Sequence, residues 1–362
     1  MEKIIPYHWT DTLCGKARFL IAPFGYGTKV AAENLASKLN LKIGAWKSND
    51  LSASANHNSV KITFNFGVAN PGHKHITNSF CVWVDCLMWL RNKIPETVLN
   101  YDLFLAENFF AMNPALYEQS SKIEEIPPLL SFNGHPLNSH FNSQGHILIS
   151  FGGIETPFTT DVHRYVVPEL IMKAIATASE KLRDTRQILC CLPSHISEHF
   201  QKNPALSRIQ FRSPAHKEFL EILKAASLYV VQPGLYGPFE AFQYGIPTVF
   251  TTPFSYTQVC QARRYEQEGI CGQIPLWHFL NADVGHISGA IETEENTCFA
   301  KMENWIEKYL VKECIGSYTE WALKSLSNEA IASGLTKKRK EYSAKCKKKE
   351  HQYLCLIKKG MQ

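Results

Sequence analysis

The chain has 362 residues, of which 45% are hydrophobic and 20% charged, with a formal net charge of +5. This length supports two domains with full cores, and the composition is ordinary for a soluble protein. No apolar run reaches the roughly 18 residues of a membrane span, and the N-terminus lacks the basic start and apolar core of a signal peptide. The eleven cysteines have no paired metal spacing, so we expect reduced thiols in a cytoplasmic protein.

The first half of the sequence alternates predicted strands with helical segments. A strand at Arg18–Pro23 is followed by a glycine turn at residues 24–27 and by an amphipathic helix over Lys29–Leu39. Further strands are predicted at Lys42–Trp46, Val60–Phe66, Phe80–Val84 and Asp102–Ala106. Strands that alternate with helices predict a parallel sheet covered on both faces.

The second half repeats this alternation after a segment rich in Asn, Ser, Gly and Pro, Leu130–His146, which we interpret as an inter-domain linker. Strands are predicted at His146–Ser150, Gln187–Leu192 and Arg208–Phe211. Helices are predicted at Glu169–Leu182, His216–Ala226, Glu303–Leu310 and Tyr318–Leu326. The sequence therefore predicts two α/β domains, with ligands at the carboxyl ends of the strands.

The most specific pattern in the chain lies between residues 229 and 269. An apolar strand, Leu228–Gln232, is broken by Pro-Gly, and Gly234 and Gly237 leave bare backbone at the start of a helix. Free N–H groups and the helix dipole attract a phosphate there. Glu240 lies one turn further and could accept hydrogen bonds from a ribose, and Gln258 follows the next strand. Together they indicate a nucleotide-sugar site.

This segment resembles the glycosyltransferases of the two-Rossmann (GT-B) type, especially the MurG-like and UDP-glycosyltransferase branch. The matching residues are Gly234, Gly237, Glu240, Ala241, Gly245, Pro247, Pro253, Gln258 and Ala262. In that family the turn holds the diphosphate, the Glu holds the ribose, and the Gln contacts the donor sugar. An ordinary βαβ unit with a glycine turn is the alternative.

The resemblance implies an α/β fold of two Rossmann-like domains whose parallel sheets face each other across a cleft. We expect an acceptor-binding domain at 1–140, a nucleotide-sugar-binding domain at 141–315, and C-terminal helices that cross back, with a basic tail, at 316–362. The implied activity is an inverting, metal-independent, cofactor-free transfer of a sugar from a nucleoside diphosphate donor, foremost UDP-linked. The acceptor would be a small molecule, as in natural product biosynthesis.

The resemblance also implies which residues of this sequence bind the donor. Gly152 and Gly153 form the turn after the first strand of the second half, and Arg212 ends a strand where the family places the nucleobase. The full predicted donor set is Gly152, Gly153, Arg212, Gly234, Leu235, Tyr236, Gly237, Glu240, Thr257 and Gln258. A plain turn and a surface arginine are the alternatives for the first three.

The acceptor side departs from the family. Thr28 stands where many relatives carry the catalytic histidine, and Asp85, which ends a predicted strand, resembles the aspartate that orients it. We take Asp85, Thr28 and His73 as catalytic candidates, and a nitrogen acceptor such as a nucleobase would need only the carboxylate. Helix capping by Asp85 and a plain loop at His73 are the alternatives. The predicted acceptor-binding residues are Phe24, Gly25, Tyr26, Gly27, Trp89 and Glu107.

The positive charge is concentrated at the end of the sequence. From Lys337 to Gln362 there are ten Lys or Arg and two Glu, an excess larger than the net charge of the whole chain. We interpret this tail as a solvated end, and the alternative is a clamp for nucleic acid or an anionic membrane. We expect no nucleic-acid partner.

Two other functional classes stay open. The same fold serves nucleotide-sugar epimerases and hydrolases, which need no acceptor pocket. The other class is a nucleotide-binding module without catalysis. It stays open because Thr28 cannot act as a base at neutral pH.

Overall fold

The computed structural model describes residues 10–14, 17–21, 26–41, 47–48, 62–66, 80–131, 144–156, 159–276, 314–327, 329–346 and 357. The chain divides into two compact units, Met1–Ser131 with Ala344–Gln362, and Phe132–Ser343. The strand predicted at Lys42–Trp46 and the helix predicted at Glu303–Leu310 lie outside the described residues. Within them, no helix has the length and apolarity to span a bilayer.

The first unit is built on one seven-stranded sheet. Its elements are β1 (Thr10–Cys14), β2 (Ala17–Ile21), α1 (Tyr26–Lys38), β3 (Lys47–Ser48), β4 (Ile62–Phe66), β5 (Phe80–Asp85), β6 (Leu103–Glu107), α2 (Ala115–Gln119) and β7 (Ile123–Ile126). The strand order is β3-β1-β2-β4-β5-β6-β7. Pairs from β2 to β7 are parallel, whereas β1 pairs antiparallel with both β2 and β3. The parallel sheet is as predicted, and the antiparallel edge was missed.

Aromatic residues on neighbouring strands fill the core of this unit. Phe19 stacks against Phe64 and Phe66 with ring centroids 5.0 and 6.2 Å apart, and the indole of Trp83 meets Phe104 edge-on at 5.9 Å. All five side chains are buried. Strands buried on both faces read as continuous apolar runs, which is why β4 to β6 could be located from the sequence.

The second unit contains a five-stranded sheet and most of the described helices. Its elements are β8 (His146–Ser150), a π-helical turn (Val162–Val166), α3 (Val167–Lys181), β9 (Ile188–Cys191), α4 (Ser194–Gln201), β10 (Ile209–Arg212), α5 (His216–Lys224), β11 (Ala226–Val231), α6 (Tyr236–Tyr244), β12 (Thr248–Phe250), α7 (Tyr256–Gln267), α8 (Cys314–Ser327) and α9 (Glu329–Lys345). Every strand pair is parallel, in the order β10-β9-β8-β11-β12. The prediction of two α/β units with parallel sheets is confirmed.

This strand order has a reversal between β8 and β11. The chain runs outward from β8 through β9 to β10, and it then returns to the other side of β8 with β11 and β12. Such a reversal opens a crevice at the carboxyl ends of the two central strands, which is where open α/β sheets bind ligands. Topology alone therefore selects the turns after β8 and β11.

A close approach fixes the first turn of α6 against β11. A Cβ atom on Gly237 would lie 3.0 Å from the hydroxyl oxygen of Tyr229, and that hydroxyl is 2.5 Å from the Oγ atom of Ser150. Tyr229 is buried, and its burial raises the pKa of the phenol. Gly237 thus lets the helix start directly above a pair of hydroxyl groups that joins β8 and β11.

Helix α9 is anchored to the second unit by one buried arginine. Arg339 is fully buried, and it donates hydrogen bonds to the carbonyl oxygens of Ile270 at 2.9 Å and Thr248 at 2.6 Å. Its guanidinium carbon lies 5.1 and 5.3 Å from the ring centroids of Phe242 and Phe250. Burial lowers the pKa of Arg339 to about 10, so the group stays charged at neutral pH. For Arg339, the prediction of a solvated tail is wrong.

The anchor predicts that Arg339→Met destabilises the protein. The substitution leaves two buried carbonyl oxygens without a donor, which costs about 3 kcal/mol of the free energy of unfolding. Lys338→Met, an exposed neighbour on the same helix, is the matched control and should change it by less than about 0.5 kcal/mol. Urea denaturation of the three proteins checks this, and equal midpoints would contradict the anchor.

The contact at Gly237 predicts a second stability effect. Gly237→Ala should lower the free energy of unfolding by about 1–2 kcal/mol, because the added methyl group crowds the Tyr229 hydroxyl. Gly234→Ala is the control, since its nearest heavy atom would be 4.0 Å away. Thermal melting in a Tyr229→Phe background should show a smaller cost for Gly237→Ala, and an unchanged cost would refute the crowding.

Candidate functional site

The site begins with a hydrogen bond that joins the turns after β8 and β11. Gln232 follows the last residue of β11, and its Oε1 atom accepts a hydrogen bond of 2.8 Å from the backbone N–H of Gly152, two residues beyond β8. The side chain of Gln232 is fully buried. The two turns singled out by the strand order are therefore tied together by one amide.

The other end of the same amide is unused. The Nε2 atom of Gln232 is buried and has no hydrogen-bond partner among the described residues. An unpaired buried donor costs about 1–3 kcal/mol, so such a group is expected to meet a ligand or an ordered water. It lies at the carboxyl end of β11, four residues before α6 begins, and a donor in this place favours an anionic ligand.

The start of α6 adds to this anion-binding character. Leu235 occupies the N-cap position, and no side chain caps the helix there. The carbonyl oxygen of Gly234 accepts a hydrogen bond of 2.6 Å from the Tyr265 hydroxyl, which holds the turn onto α7. Tyr236 and Gly237 are half-buried. An uncapped helix start carries a partial positive charge that phosphate groups neutralise.

The side chain of Gln258, in the first turn of α7, also contacts the turn after β8. Its Nε2 atom donates a hydrogen bond of 3.1 Å to the carbonyl oxygen of Gly152. Its Oε1 atom accepts one of 2.6 Å from the backbone N–H of Phe254, and Ser255 caps the helix by accepting from the N–H of Gln258. Gly153 is left-handed, with φ of 74°, so the turn favours glycine. The predicted donor residues Gly152, Gly153 and Gln258 are thus in direct contact or adjacent.

Glu240 has a partner that the sequence did not reveal. The Nε2 atom of His216, the first residue of α5, lies 3.1 Å from the Oε1 atom of Glu240, and the two side chains are 13% and 2% exposed. Burial and then the charge of Glu240 raise the pKa of Tyr244 to about 12. The Glu240 carboxylate thus already contacts an imidazole within the protein.

Two further residues that were predicted to bind the sugar donor lie at the edge of this region. Arg212 is exposed and ends β10, the edge strand of the sheet. Thr257 is half-buried, and its hydroxyl is 3.0 Å from that of Ser255. Because all five strands are parallel, the end of β10 lies on the same sheet edge as the turns after β8 and β11.

The first unit places Asp85 in an ion pair. The carboxylate ends β5 and is buried; its Oδ2 atom lies 2.6 Å from Nε of Arg91, and its Oδ1 atom accepts 2.8 Å from the N–H of Leu87. The Arg91 guanidinium in turn lies over the Trp83 ring at 5.1 Å. The short helix that follows, Met88–Leu90, has Leu87 as its N-cap and no side-chain cap, so Asp85 closes the turn before this helix and does not cap it. The role of general base stays a prediction for Asp85.

The other acceptor-side residues are also held by the protein. Trp89 is buried, donates to the carbonyl oxygen of Cys86 and packs edge-on against Phe110 at 4.8 Å. Glu107 is buried and accepts 2.8 Å from the N–H of Leu129. These placements are those of core residues. Thr28 is half-buried in α1, which begins with Tyr26 and Gly27, whereas Phe24, Gly25 and His73 lie outside the described residues.

Two residues of the site were missed from the sequence, Gln232 and His216. Gln232 is the one polar residue that closes the apolar run Leu228–Gln232, and a polar side chain at the carboxyl end of a buried strand is a usable signal. His216 had no such signal, because its contact with Glu240 joins two helices through the tertiary fold. Among the described residues, no three His, Cys, Asp or Glu side chains are grouped as metal ligands would be.

Comparisons with known proteins give structural likenesses only. No protein-family model and no curated protein matches the chain. The chain is similar to the solved spinosyn rhamnosyltransferase SpnG, with 11% identity, 92% of this chain and 78% of that chain covered, and a TM-score of 0.48. It is also similar to the glycotransferase of kitacinnamycin, with 13% identity, 84% and 76% covered, and a TM-score of 0.48.

A third likeness is to Arabidopsis thaliana UGT89C1 complexed with UDP-L-rhamnose, with 12% identity, 84% of this chain and 70% of that chain covered, and a TM-score of 0.45. All three TM-scores lie below 0.5, so we rest no functional argument on these likenesses.

Proposed function

We propose that this protein is a glycosyltransferase that uses a nucleoside diphosphate sugar, foremost a UDP-sugar, and a small-molecule acceptor. The observation that carries the proposal is the buried, unpartnered Nε2 atom of Gln232, which lies between two glycine turns at the strand-order reversal of a parallel sheet. A donor at that place, next to an uncapped helix start, suits a diphosphate.

The diphosphate would be bound by the Gln232 amide and the first turn of α6. As the sugar leaves, negative charge builds up on the diphosphate, and preorganised donors and the helix dipole stabilise that charge. This provides leaving-group stabilisation from protein groups alone, which is why we propose a metal-independent mechanism. We propose inversion at the sugar carbon, because a single displacement needs no nucleophile on the protein.

The nucleoside would lie towards α5 and β10. Glu240, with His216 behind it, is proposed to accept hydrogen bonds from the ribose, and Arg212 is proposed to lie beside the base, where a guanidinium can stack on a planar ring. Of Glu240 in α6 and His216 in α5, the Glu240 carboxylate is the stronger hydrogen-bond acceptor. Hydrogen bonds to charged acceptors are about twice as strong as those to neutral acceptors.

The acceptor is proposed only as a class. The hypothesis of a nitrogen acceptor requires the Asp85 carboxylate to contact the acceptor. In the structure this carboxylate already forms an ion pair with Arg91. Alcohol and nitrogen acceptors are therefore both to be tested in the transfer assay. An epimerase or hydrolase of the same fold would convert the donor, or release free sugar at full rate, without any acceptor.

The proposal predicts that Gln232→Glu abolishes tight nucleotide binding. The new carboxylate can still accept from the N–H of Gly152, but it replaces the donor with a negative charge beside the diphosphate. Affinity for UDP should fall about 100-fold or more, as measured by isothermal titration calorimetry.

Gln267→Glu, which makes the same chemical change at an exposed position at the end of α7, is the matched control and should bind UDP like the unmodified protein. Melting of both variants without ligand shows whether the fold is retained. Equal UDP affinity of the two variants would refute the proposed diphosphate site.

A second prediction separates the ribose from the diphosphate. Glu240→Gln should weaken UDP binding about 10-fold, because a neutral amide accepts more weakly from hydroxyls than a carboxylate does. Pyrophosphate, which has no ribose, should bind this variant and the unmodified protein equally. Equal losses for both ligands would show that Glu240 acts only through the fold.

A further inference from the structure

Gly152 is held from both sides by glutamine side chains. Its N–H donates to Oε1 of Gln232 at 2.8 Å, and its carbonyl oxygen accepts from Nε2 of Gln258 at 3.1 Å. The two glutamines come from different elements, one from the end of β11 and one from the first turn of α7. Both main-chain groups of one turn residue are therefore fixed by side chains that approach from separate parts of the second unit.

We infer that Gln232 and Gln258 form a clamp on Gly152 that positions the turn for the donor, and that Gln258 acts on this turn instead of selecting the sugar. The inference rests on the proposed function, since it states how the same site is held in its binding geometry. Gln258 is then a positioning residue, and substitution should affect every nucleotide ligand alike.

The amide of Gln258 is committed to the protein at both ends. Its oxygen accepts from the N–H of Phe254 at 2.6 Å, and its nitrogen donates to the carbonyl oxygen of Gly152. The side chain is 7% exposed. Each end still has a second hydrogen or lone pair, so it is the burial of the side chain, together with these two backbone bonds, that limits its access to a sugar hydroxyl.

The turn itself needs external support. Gly153, with φ of 74°, is followed by a stretch without helix or strand up to Thr156, and glycine has the largest backbone freedom of any residue. A Cβ atom on Gly153 would lie 3.5 Å from Nε2 of Gln258, so the clamp also touches the second turn residue. Fixing both main-chain groups of Gly152 in the free protein reduces the conformational entropy that the turn loses when a ligand binds.

The clamp can be tested first without any ligand. Hydrogen exchange at the Gly152 amide, followed by NMR, should be slow in the unmodified protein and at least 10-fold faster in Gln258→Met. Gln258 does not touch this N–H, so faster exchange means that the two glutamines act together through the turn. Gln267→Met, exposed on the same helix, should leave the rate unchanged. Unchanged exchange in Gln258→Met would overturn the clamp.

The positioning role is tested with UDP, UDP-glucose and UDP-galactose by calorimetry. Gln258→Met and Gln258→Glu, which keeps the acceptor for the Phe254 N–H and removes the donor to Gly152, should weaken all three ligands by the same factor, about 10-fold. Retained UDP affinity with weaker binding of either sugar nucleotide would overturn the inference, because Gln258 would then select the sugar.

These outcomes separate the inference from the function on which it rests. If the unmodified protein binds none of the three ligands, the proposed function fails and the donor-positioning role fails with it, whatever the exchange rates show. If it binds UDP and Gln258→Met binds UDP equally well, the proposed function stands and the positioning role is refuted.

Discussion

The hydrogen bond between Gln232 and Gly152 is the contact on which the candidate site depends. It connects residues that are 80 positions apart, and it joins the two strands at which the order of the parallel sheet reverses. A glutamine can do this because one amide offers an acceptor and a donor at once. The acceptor stabilises the protein, and the donor stays available to a ligand. One side chain therefore both joins the two turns and supplies the donor on which the proposed function rests.

The two units differ in how their polar groups are used. In the described part of the second unit, the Nε2 atom of Gln232 at the candidate site is buried without a hydrogen-bond partner. In the first unit, two carboxylates predicted on the acceptor side are held by protein groups: Asp85, a catalytic candidate, by Arg91, and Glu107, predicted to bind the acceptor, by a backbone N–H. A carboxylate in a buried ion pair is a structural element first, because breaking the pair leaves an uncompensated charge. The observations that support the proposed function therefore lie in the described part of the second unit.

Much of the fold could be predicted from the sequence. The strands of the second unit and the glycine turns between residues 229 and 269 were located correctly, because apolar periodicity and glycine breaks are local signals. The hydrogen bonds of Gly152, the contact of His216 with Glu240, and the Arg91 partner of Asp85 were not predicted. Each is decided by tertiary packing, which places side chains from separate elements together and leaves no pattern along the chain. The burial of Arg339 was missed for the same reason, since its neighbours are exposed lysines.

The buried arginine also has a consequence for the order of folding. Arg339 donates to the carbonyl oxygen of Thr248, a residue 91 positions earlier. During synthesis, the first residue of β12 therefore emerges 91 residues before the arginine that donates to it, and water has to solvate its carbonyl oxygen until then. Domains usually fold as units as they leave the ribosome. In this protein the second unit can reach its final packing only after residue 339 has been translated, so its maturation is late for a region so central to the proposed function.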